Sequence, residues 1–571
     1  MTSLSSSTPF AANKQNKQTR RRQKAGASDR PGVLEEAVAE IETYKGSDYH
    51  SRRLALDYLE KILARWAMAA RTINSNAHSF PENPWQTPRV TLVSIGSFRL
   101  GVHRKSSDLD VLAIAPPSCT RKDFFTSLVD MLKSDPLIDQ VHPIPTAYTP
   151  VIKFLLKGYQ IDMLFARVDN PSKLLAFQRQ RVSPLVTTQL VSSTPRVEYI
   201  IDDRDLVGLD EAGVRSMNGA RVCQMLQEMV PDYKAYMTVL KAVKEWAHQS
   251  GIYSNVLGFL GGINWAILVA WVCKNHPRAS TSNLLEIFFR VFASWKWANP
   301  VLLQPIQETP PDGVVELPAW NPDVNPRDGL HIMPIITPAY PSMNSSYNVG
   351  FPQLRSIQNE MILACNHLRK HKNDFAALFK PSDFFSRHEH FLQVTIRATS
   401  RQDFVEWFRL VESRLRVLIT DLETEQVHAW PFARFFDRSY DSDGNCLGQG
   451  KTKDENAIHE SLFFIALRFA DGVDTIDMRF APSAFLHSVN SWSNRVAGMD
   501  LSLKHITSSE LPTFVHPNCD STPKSNSNDS KEDNATDIGS KENCENSSKD
   551  SAEAPSSPDL ASPSKKCRIT D

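Results

Sequence analysis

Two aspartates spaced two apart, Asp108 and Asp110, follow a Gly-Ser step in the stretch IGSFRLGVHRKSSDLDVLAIA, which runs from Ile95 to Ala115. In a β-strand, residues two apart point to the same face, so DLD aims both carboxylates one way and turns Leu109 toward the core. Ionised carboxylates that close repel each other and raise a pKa unless a cation sits between them. Magnesium is the natural cation for an all-oxygen site. Asp162 is the sole acidic residue in KFLLKGYQIDMLFA, mid-strand between Ile161 and Met163. A strand carboxylate with apolar neighbours is costly unless it is paired or metal-bound. Three carboxylates on adjacent strands can hold two magnesium ions, which clamp the attacking and leaving oxygens of a phosphoryl or nucleotidyl transfer. Gly96 lets the backbone approach a phosphate, and the neighbouring N–H groups and the Ser97 hydroxyl can hold a triphosphate.

Each motif has a plainer reading. A lone DxD is common in surface loops, and a lone Gly-Ser step is weaker still. The order Gly-Ser, DxD and a later strand aspartate is what points to nucleotidyl transfer. GNCLGQGKTK contains Gly450-Lys451-Thr452 and looks like a phosphate loop, but Asn445 stands where the first glycine belongs, so it reads as a polar loop.

The elements that must position these residues are legible around them. VTLVSIGS, DLDVLAIA, VIKFLL and YQIDMLFARV are rich in β-branched and aromatic residues and read as strands, with LVDMLKS a helix between them. FLLKGYQIDM reads as a hairpin turning at Lys157-Gly158. Strands mixed with helices suggest an α/β or α+β domain. Upstream, Leu54, Leu56, Leu59, Ile62, Leu63 and Trp66 recur at helical spacing, and PENPWQTPRV ends that pattern. After about residue 210 the chain reads as mainly helical to Pro300, then as Pro-rich and irregular. A third mixed segment follows, with strand candidates HFLQVTIRA, SLFFIALRFA and TIDMRFA and the helix candidate RQDFVEWFRLVESRLRVLI.

The bulk properties bound the reading. The 571 residues point to roughly two to four domains. With 41% hydrophobic and 22% charged residues the composition is that of a globular protein, and a net charge of +0 argues neither for nor against nucleic acid. The eight cysteines are scattered without close pairs or zinc-ligand spacing, as for reduced thiols in a cytosolic or nuclear protein. VLGFLGGINWAILVAWVC is interrupted by glycines and Asn264 and reads as a buried core helix, not a membrane span. No secretory signal is expected at the N-terminus. KQTRRRQK at Lys17–Lys24 reads as a nuclear-import or nucleic-acid patch or as simple solubilising charge, with a mitochondrial transit peptide as a lower-ranked competing reading.

Long segments in one order, GSFRLGVHRKSSDLDVLAIAP, SMNGARV, KAVKEWAHQSGIYSNVLGFLGGINWAILVA, WANPVLL and MPIITPAYPSMNSSYNV, closely resemble eukaryotic nuclear poly(A) polymerase. The resemblance covers about Val33 to Ile506. It implies an α+β multidomain fold: a nucleotidyltransferase palm domain, a helical middle domain and an RNA-recognition-motif-like C-terminal domain. The expected boundaries are 1–31 for a disordered basic tail, 32–210 for N-terminal helices and the catalytic domain, 211–347 for the central domain, 348–507 for the RNA-binding domain and 508–571 for a disordered Ser/Asn/Asp-rich tail. It implies template-independent transfer of AMP from ATP to an RNA 3′-hydroxyl, with two magnesium ions, manganese able to substitute, and pyrophosphate released.

By the same resemblance the catalytic and metal-binding triad falls on Asp108, Asp110 and Asp162. The nucleotide-binding positions fall on Ile95, Gly96, Ser97, Arg104, Asn218, Lys244, Tyr253, Asn255, Gly262, Ile263 and Thr337, and the RNA-facing ones on Tyr148, Lys153 and Asn348. Helical periodicity alone reads Lys244 as a solvated-face lysine, and Tyr253, Asn255 and Asn218 as turn or capping residues. Tyr148 stands where the family usually has phenylalanine, and HQSG at His248–Gly251 replaces a basic run. The family further implies nuclear residence, a monomer within a larger assembly, and partnership with cleavage and polyadenylation factors. A terminal uridylyl or CCA-adding transferase, and a catalytically weak RNA-binding scaffold, are the competing functions.

Overall fold

The computed structural model describes residues 32–41, 48–74, 89–169, 201–441, 446–448, 457–472 and 479–515. The basic segment at Lys17–Lys24, the phosphate-loop look-alike at Gly450-Lys451-Thr452 and the Ser/Asn/Asp-rich sequence from 516 onward lie outside them. The chain divides into two compact units, Met1–Pro381 and Ser382–Asp571.

The first unit opens with helices α1 (Val33–Ala39) and α2 (Tyr49–Asn74). Leu56, Leu59, Ile62, Leu63 and Trp66 form the buried stripe of α2, whereas Leu54 is half exposed and Ala55 packs in its place. The sheet consists of β1 (Thr91–Ser94), β2 (Leu109–Ala115), β3 (Ile138–Ile144), β4 (Val151–Leu156) and β5 (Tyr159–Arg167), in the order β1-β2-β5-β4-β3. Between them come α3 (Gly96–Arg99), α4 (Arg121–Phe125) and α5 (Ser127–Lys133). β2 and β5 are parallel, and the other neighbours are antiparallel. The β4–β5 hairpin turns at Lys157 and Gly158, both at positive φ (49° and 85°), as a tight turn between right-twisted strands requires.

Alternation along the strands splits the core. Leu109, Val111, Ala113, Ile161, Met163 and Phe165 pack with Trp66 and Phe124 on one face. Leu112, Ile114 and Ala166 pack on the other against Val214, Met217 and Tyr340. Asp110 and Asp162 keep step with this second set, so both carboxylates leave the sheet on one face.

The helical part follows as α6 (Glu211–Met229), α7 (Tyr233–Gln249), α8 (Gly262–Asn275), α9 (Thr281–Ala293) and, after an irregular stretch, α10 (Phe351–Lys370). The middle of α8 is buried, from Asn264 to Ala270 and again at Val272 and Cys273. No described helix is long and apolar enough to cross a membrane. The sequence suggests a boundary at 348, but α10 packs on α9 through buried residues that include Ile357, Met361 and Leu368, and the division falls after Pro381.

The second unit follows the path β6 (His390–Ala398), α11 (Arg401–Asp421), β7 (Val427–Pro431), β8 (Phe436–Tyr440), β9 (Cys446–Gly448), β10 (Ile458–Phe469), α12 (Phe480–Asn490), β11 (Asp500–Thr507). Without the β8–β9 insertion this is a βαββαβ path with β11, β6, β10 and β7 side by side. An aromatic cluster of Phe384, Phe385, Phe391, Phe432 and Phe464 lies on the sheet, joined by Leu511 and Val515. Residues 508–515, which the sequence reading assigns to the tail, belong to this unit, with Leu511 and Val515 in its core. Of the strand expected at TIDMRFA, residues 475–478 lie outside the described residues, and Phe480 and Ala481 begin α12 instead.

Candidate active site

The carboxylates are placed by strand register. Asp110 on β2 stands directly opposite Asp162 on the parallel strand β5, and Lys153 on β4 stands opposite Asp162 from the other side. Lys153 Nζ donates to Asp162 Oδ2. The other oxygen, Asp162 Oδ1, is buried without a hydrogen-bond partner. Burial, then the charges of Asp108 and Asp162, push the Asp110 carboxyl up to about 7. Among the described residues no three acidic, histidine or cysteine side chains are already drawn together as a cation site. The donor set nevertheless fits a divalent cation. It is all oxygen, two of its carboxylates are held side by side, and one buried oxygen lacks a partner.

The glycine before β2 is required by geometry. Gly96 has φ +62°, and a Cβ built there lies 2.3 Å from Asp110 Oδ2. The backbone tie from Ile95 N to Asp110 O (2.9 Å) holds this turn against the strand. Ile95 itself is buried and serves as packing under the turn.

A cavity of about 350 Å³ opens from the carboxylates toward the helices. Gly96, Ser97, Arg104, Ser106, Ser107, Asp108 and Asp110 line one side, and Lys244, His248, Tyr253, Gly262 and Ile263 the other. Lys244 is buried, and its Nζ donates to Val102 O at 2.8 Å. Burial, with Arg104 and Lys241 nearby, drives its pKa down to about 7. Arg104 faces the buried Glu245 carboxylate at 3.3 Å. Tyr253 stacks on His248 with ring centroids 3.8 Å apart, and a Cβ on Gly262 would stand 2.9 Å from the Tyr253 hydroxyl. Burial raises the Tyr253 phenol.

Comparison with known families agrees with this division of parts. Residues 30–174 match the "Poly(A) polymerase nucleotidyltransferase domain", 235–381 the "Poly(A) polymerase central domain", and 383–454 the "Poly(A) polymerase predicted RNA binding domain". The chain belongs to the poly(A) polymerase family. It is 35% identical to Nuclear poly(A) polymerase 1 of Arabidopsis thaliana over 496 residues, which covers 85% of this chain and 63% of that one. It is 34% identical to Nuclear poly(A) polymerase 4 of the same plant, covering 85% of this chain and 61% of that one. Against Poly(A) polymerase of Dictyostelium discoideum it is 32% identical, covering 81% and 54%. The chain thus spans less than two thirds of the length of these relatives. A solved cytoplasmic RNA terminal U-transferase is 17% identical, covers 61% of this chain and 97% of its own, and superposes with a TM-score of 0.38, too distant to bear on nucleotide choice. The two family models on either side of Pro381/Ser382 stop and start where the structure divides.

Within this poly(A) polymerase frame, the remaining candidate residues lie outside the cavity wall. Asn218 on α6 reaches Pro341 O at 3.4 Å and keeps a buried Oδ1 without a partner. Thr337 is tied to Met343, whose N–H donates to Oγ1 at 3.0 Å. Asn255 and Asn348 meet through Asn348 Nδ2 and Asn255 O at 3.4 Å. Tyr148 is exposed beneath the Arg215 guanidinium, 4.3 Å from its ring centroid. Ser106, Ser107 and Glu245 are not sequence candidates, and His248 enters the sequence reading only as part of the HQSG departure, not as a site residue. His248 lies four residues after Lys244 and so on the same helix face, a spacing that could have revealed it. Glu245 carried no such signal.

Proposed function

We propose that this chain adds AMP from ATP to RNA 3′-hydroxyl ends without a template, releasing pyrophosphate. The observation that carries the reading is Asp110, side by side with Asp162 on the neighbouring strand, lining a cavity together with Asp108 and the buried Lys244. Asp108, Asp110 and Asp162 would hold the divalent ions, magnesium by donor chemistry and manganese in substitution. When bound, those ions supply Lewis-acid activation of the hydroxyl and of the phosphate.

The protein's own groups do the rest. The backbone at Gly96 and Ser97, with Arg104 and Lys244, holds the triphosphate and balances charge on the departing pyrophosphate. Tyr253, Gly262 and Ile263 shape the nucleoside end, with Ile95, Asn218, Asn255 and Thr337 supporting from behind. Lys153, Tyr148 and Asn348 receive the RNA end. In this reading Lys153 serves both jobs, because the side chain assigned to the RNA end also bonds the metal-site carboxylate of Asp162. Relatives named nuclear poly(A) polymerases support a nuclear site of action. Recruitment by cleavage and polyadenylation factors follows from the same resemblance.

The test is extension of a short RNA by the purified chain with magnesium and each nucleoside triphosphate separately, alongside the same RNA ending in a 3′-deoxynucleotide. Long extension with ATP alone, abolished by the blocked end, is expected. Extension with UTP or CTP would replace the function. RNA binding without any extension would favour a scaffold.

A further inference from the structure

The loop that leads into Asp108 is held from behind by a residue no motif includes. Arg104 to Ser107 close a turn on themselves: Ser107 N donates to Arg104 O at 3.0 Å and Arg104 N to Ser107 Oγ at 2.9 Å. The turn leaves carbonyl oxygens pointing away from the cavity. Arg52, on the first turn of α2 and 1% exposed, fills that space. Its Nη1 donates to Ser107 O at 2.5 Å, and its Nη2 to Lys105 O at 2.7 Å and Arg104 O at 3.4 Å. Its Nε donates to Asp48 Oδ1 at 2.8 Å.

We infer that Arg52 is a positioning residue for nucleotide binding, which clamps the Arg104–Ser107 turn so that Arg104, Ser106, Ser107 and Asp108 face the cavity at fixed places. This rests on the reaction proposed above. Three carbonyls spread over four residues need a planar fork of donors, and a guanidinium supplies one where an ammonium cannot. Asp48 orients the fork and balances its charge. The turn supplies a cavity wall and the approach to the first carboxylate, so a small shift in it moves several groups that must meet one triphosphate. The Arg104 side chain is set independently, by Glu245 from α7. Backbone and side chain of one residue are thus fixed from two different helices.

The experiment uses Arg52→Lys and, as a milder change, Asp48→Asn in the full chain, with two readouts. Amide hydrogen exchange over residues 104–108 reads the turn without any reaction, and steady-state extension reads KM for ATP and for RNA. We expect exchange in the turn to speed up by about tenfold in Arg52→Lys while the β2–β5 strands keep their protection. We expect KM for ATP to rise by about tenfold and KM for RNA to change by less than about twofold. Asp48→Asn should move the same quantities less. A folded Arg52→Lys with wild-type exchange and wild-type KM for ATP would overturn the clamp. Exchange that rises equally throughout α2 and the sheet would also overturn it, as a purely structural role. Should Arg52→Lys not fold, Asp48→Asn decides by the same criteria. Wild-type protein that fails to extend RNA counts against the reaction, while the exchange result still decides the clamp.

Discussion

Asp110 and Asp162 face each other across two parallel strands, and Lys153 donates its hydrogen bond to Asp162. At Asp110, burial and then the charges of Asp108 and Asp162 outweigh the lowering by Lys153 and Lys244, and the carboxyl is pushed up to about 7. A carboxyl raised in the folded state binds protons more tightly there than in the unfolded chain. Its destabilising effect is therefore absent only well below pH 4, grows as the pH climbs from about 4 toward 7, and is full above that. In chelator-treated protein at pH 8, Asp110→Asn should raise stability by about 1–4 kcal/mol, with a much smaller gain at pH 4. Thermal melts at the two pH values check this. Adding magnesium should stabilise the wild type and not the variant.

Lys244 should matter through charge rather than packing. Lys244→Met keeps the length of a buried side chain and removes an ammonium that burial disfavours, so the fold should hold within about 1 kcal/mol. KM for ATP should rise by about tenfold or more, because a charge-assisted phosphate contact is gone. In the wild type, the free lysine loses its proton as the pH rises through about 7, so KM for ATP should climb between pH 7 and 8.5. Lys244→Met should lack that slope.

Gly96→Ala should separate activity from folding. Its left-handed φ costs an alanine about 1–2 kcal/mol. The added Cβ would also drive into Asp110 Oδ2. The expected result is a loss of extension of about a hundredfold with a melting point lowered by only a few degrees, about what that strain implies. Unchanged extension would mean that the turn does not set the carboxylate.

Much of this site was legible from local pattern. Period-two alternation put Asp110 and Asp162 on one face of the sheet, whereas Asp108 lies just before β2 and lines the cavity from the loop, and Lys157-Gly158 marked the hairpin that brings Lys153 beside Asp162. Lys244 was not legible by periodicity, because that reasoning assumes a helix with one wet face. Helix α7 buries Ala242, Val243, Lys244, Glu245 and Trp246 in succession, so it has no such face there. Arg52 and the turn it grips are 52 to 55 residues apart, and no local spacing connects them. The tail beyond 507 looked polar in bulk, yet its apolar Leu511 and Val515 were what the aromatic cluster needed.

That last point gives a truncation prediction. A chain ending at Thr507 loses Leu511 and Val515 from the aromatic core, at about 1.5–3 kcal/mol for each side chain. Its second unit should melt earlier than that of a chain ending at Val515, which should match the full-length protein. Calorimetry of the three chains distinguishes them.

The most direct test of the central claim is RNA extension with ATP and magnesium by wild type and by Asp110→Asn, after melts have shown both to be folded. Wild type should build long adenylate tails, and the variant should add none. Comparable extension by the two proteins would contradict the assignment of Asp110 to the metal site and, with it, the proposed reaction chemistry.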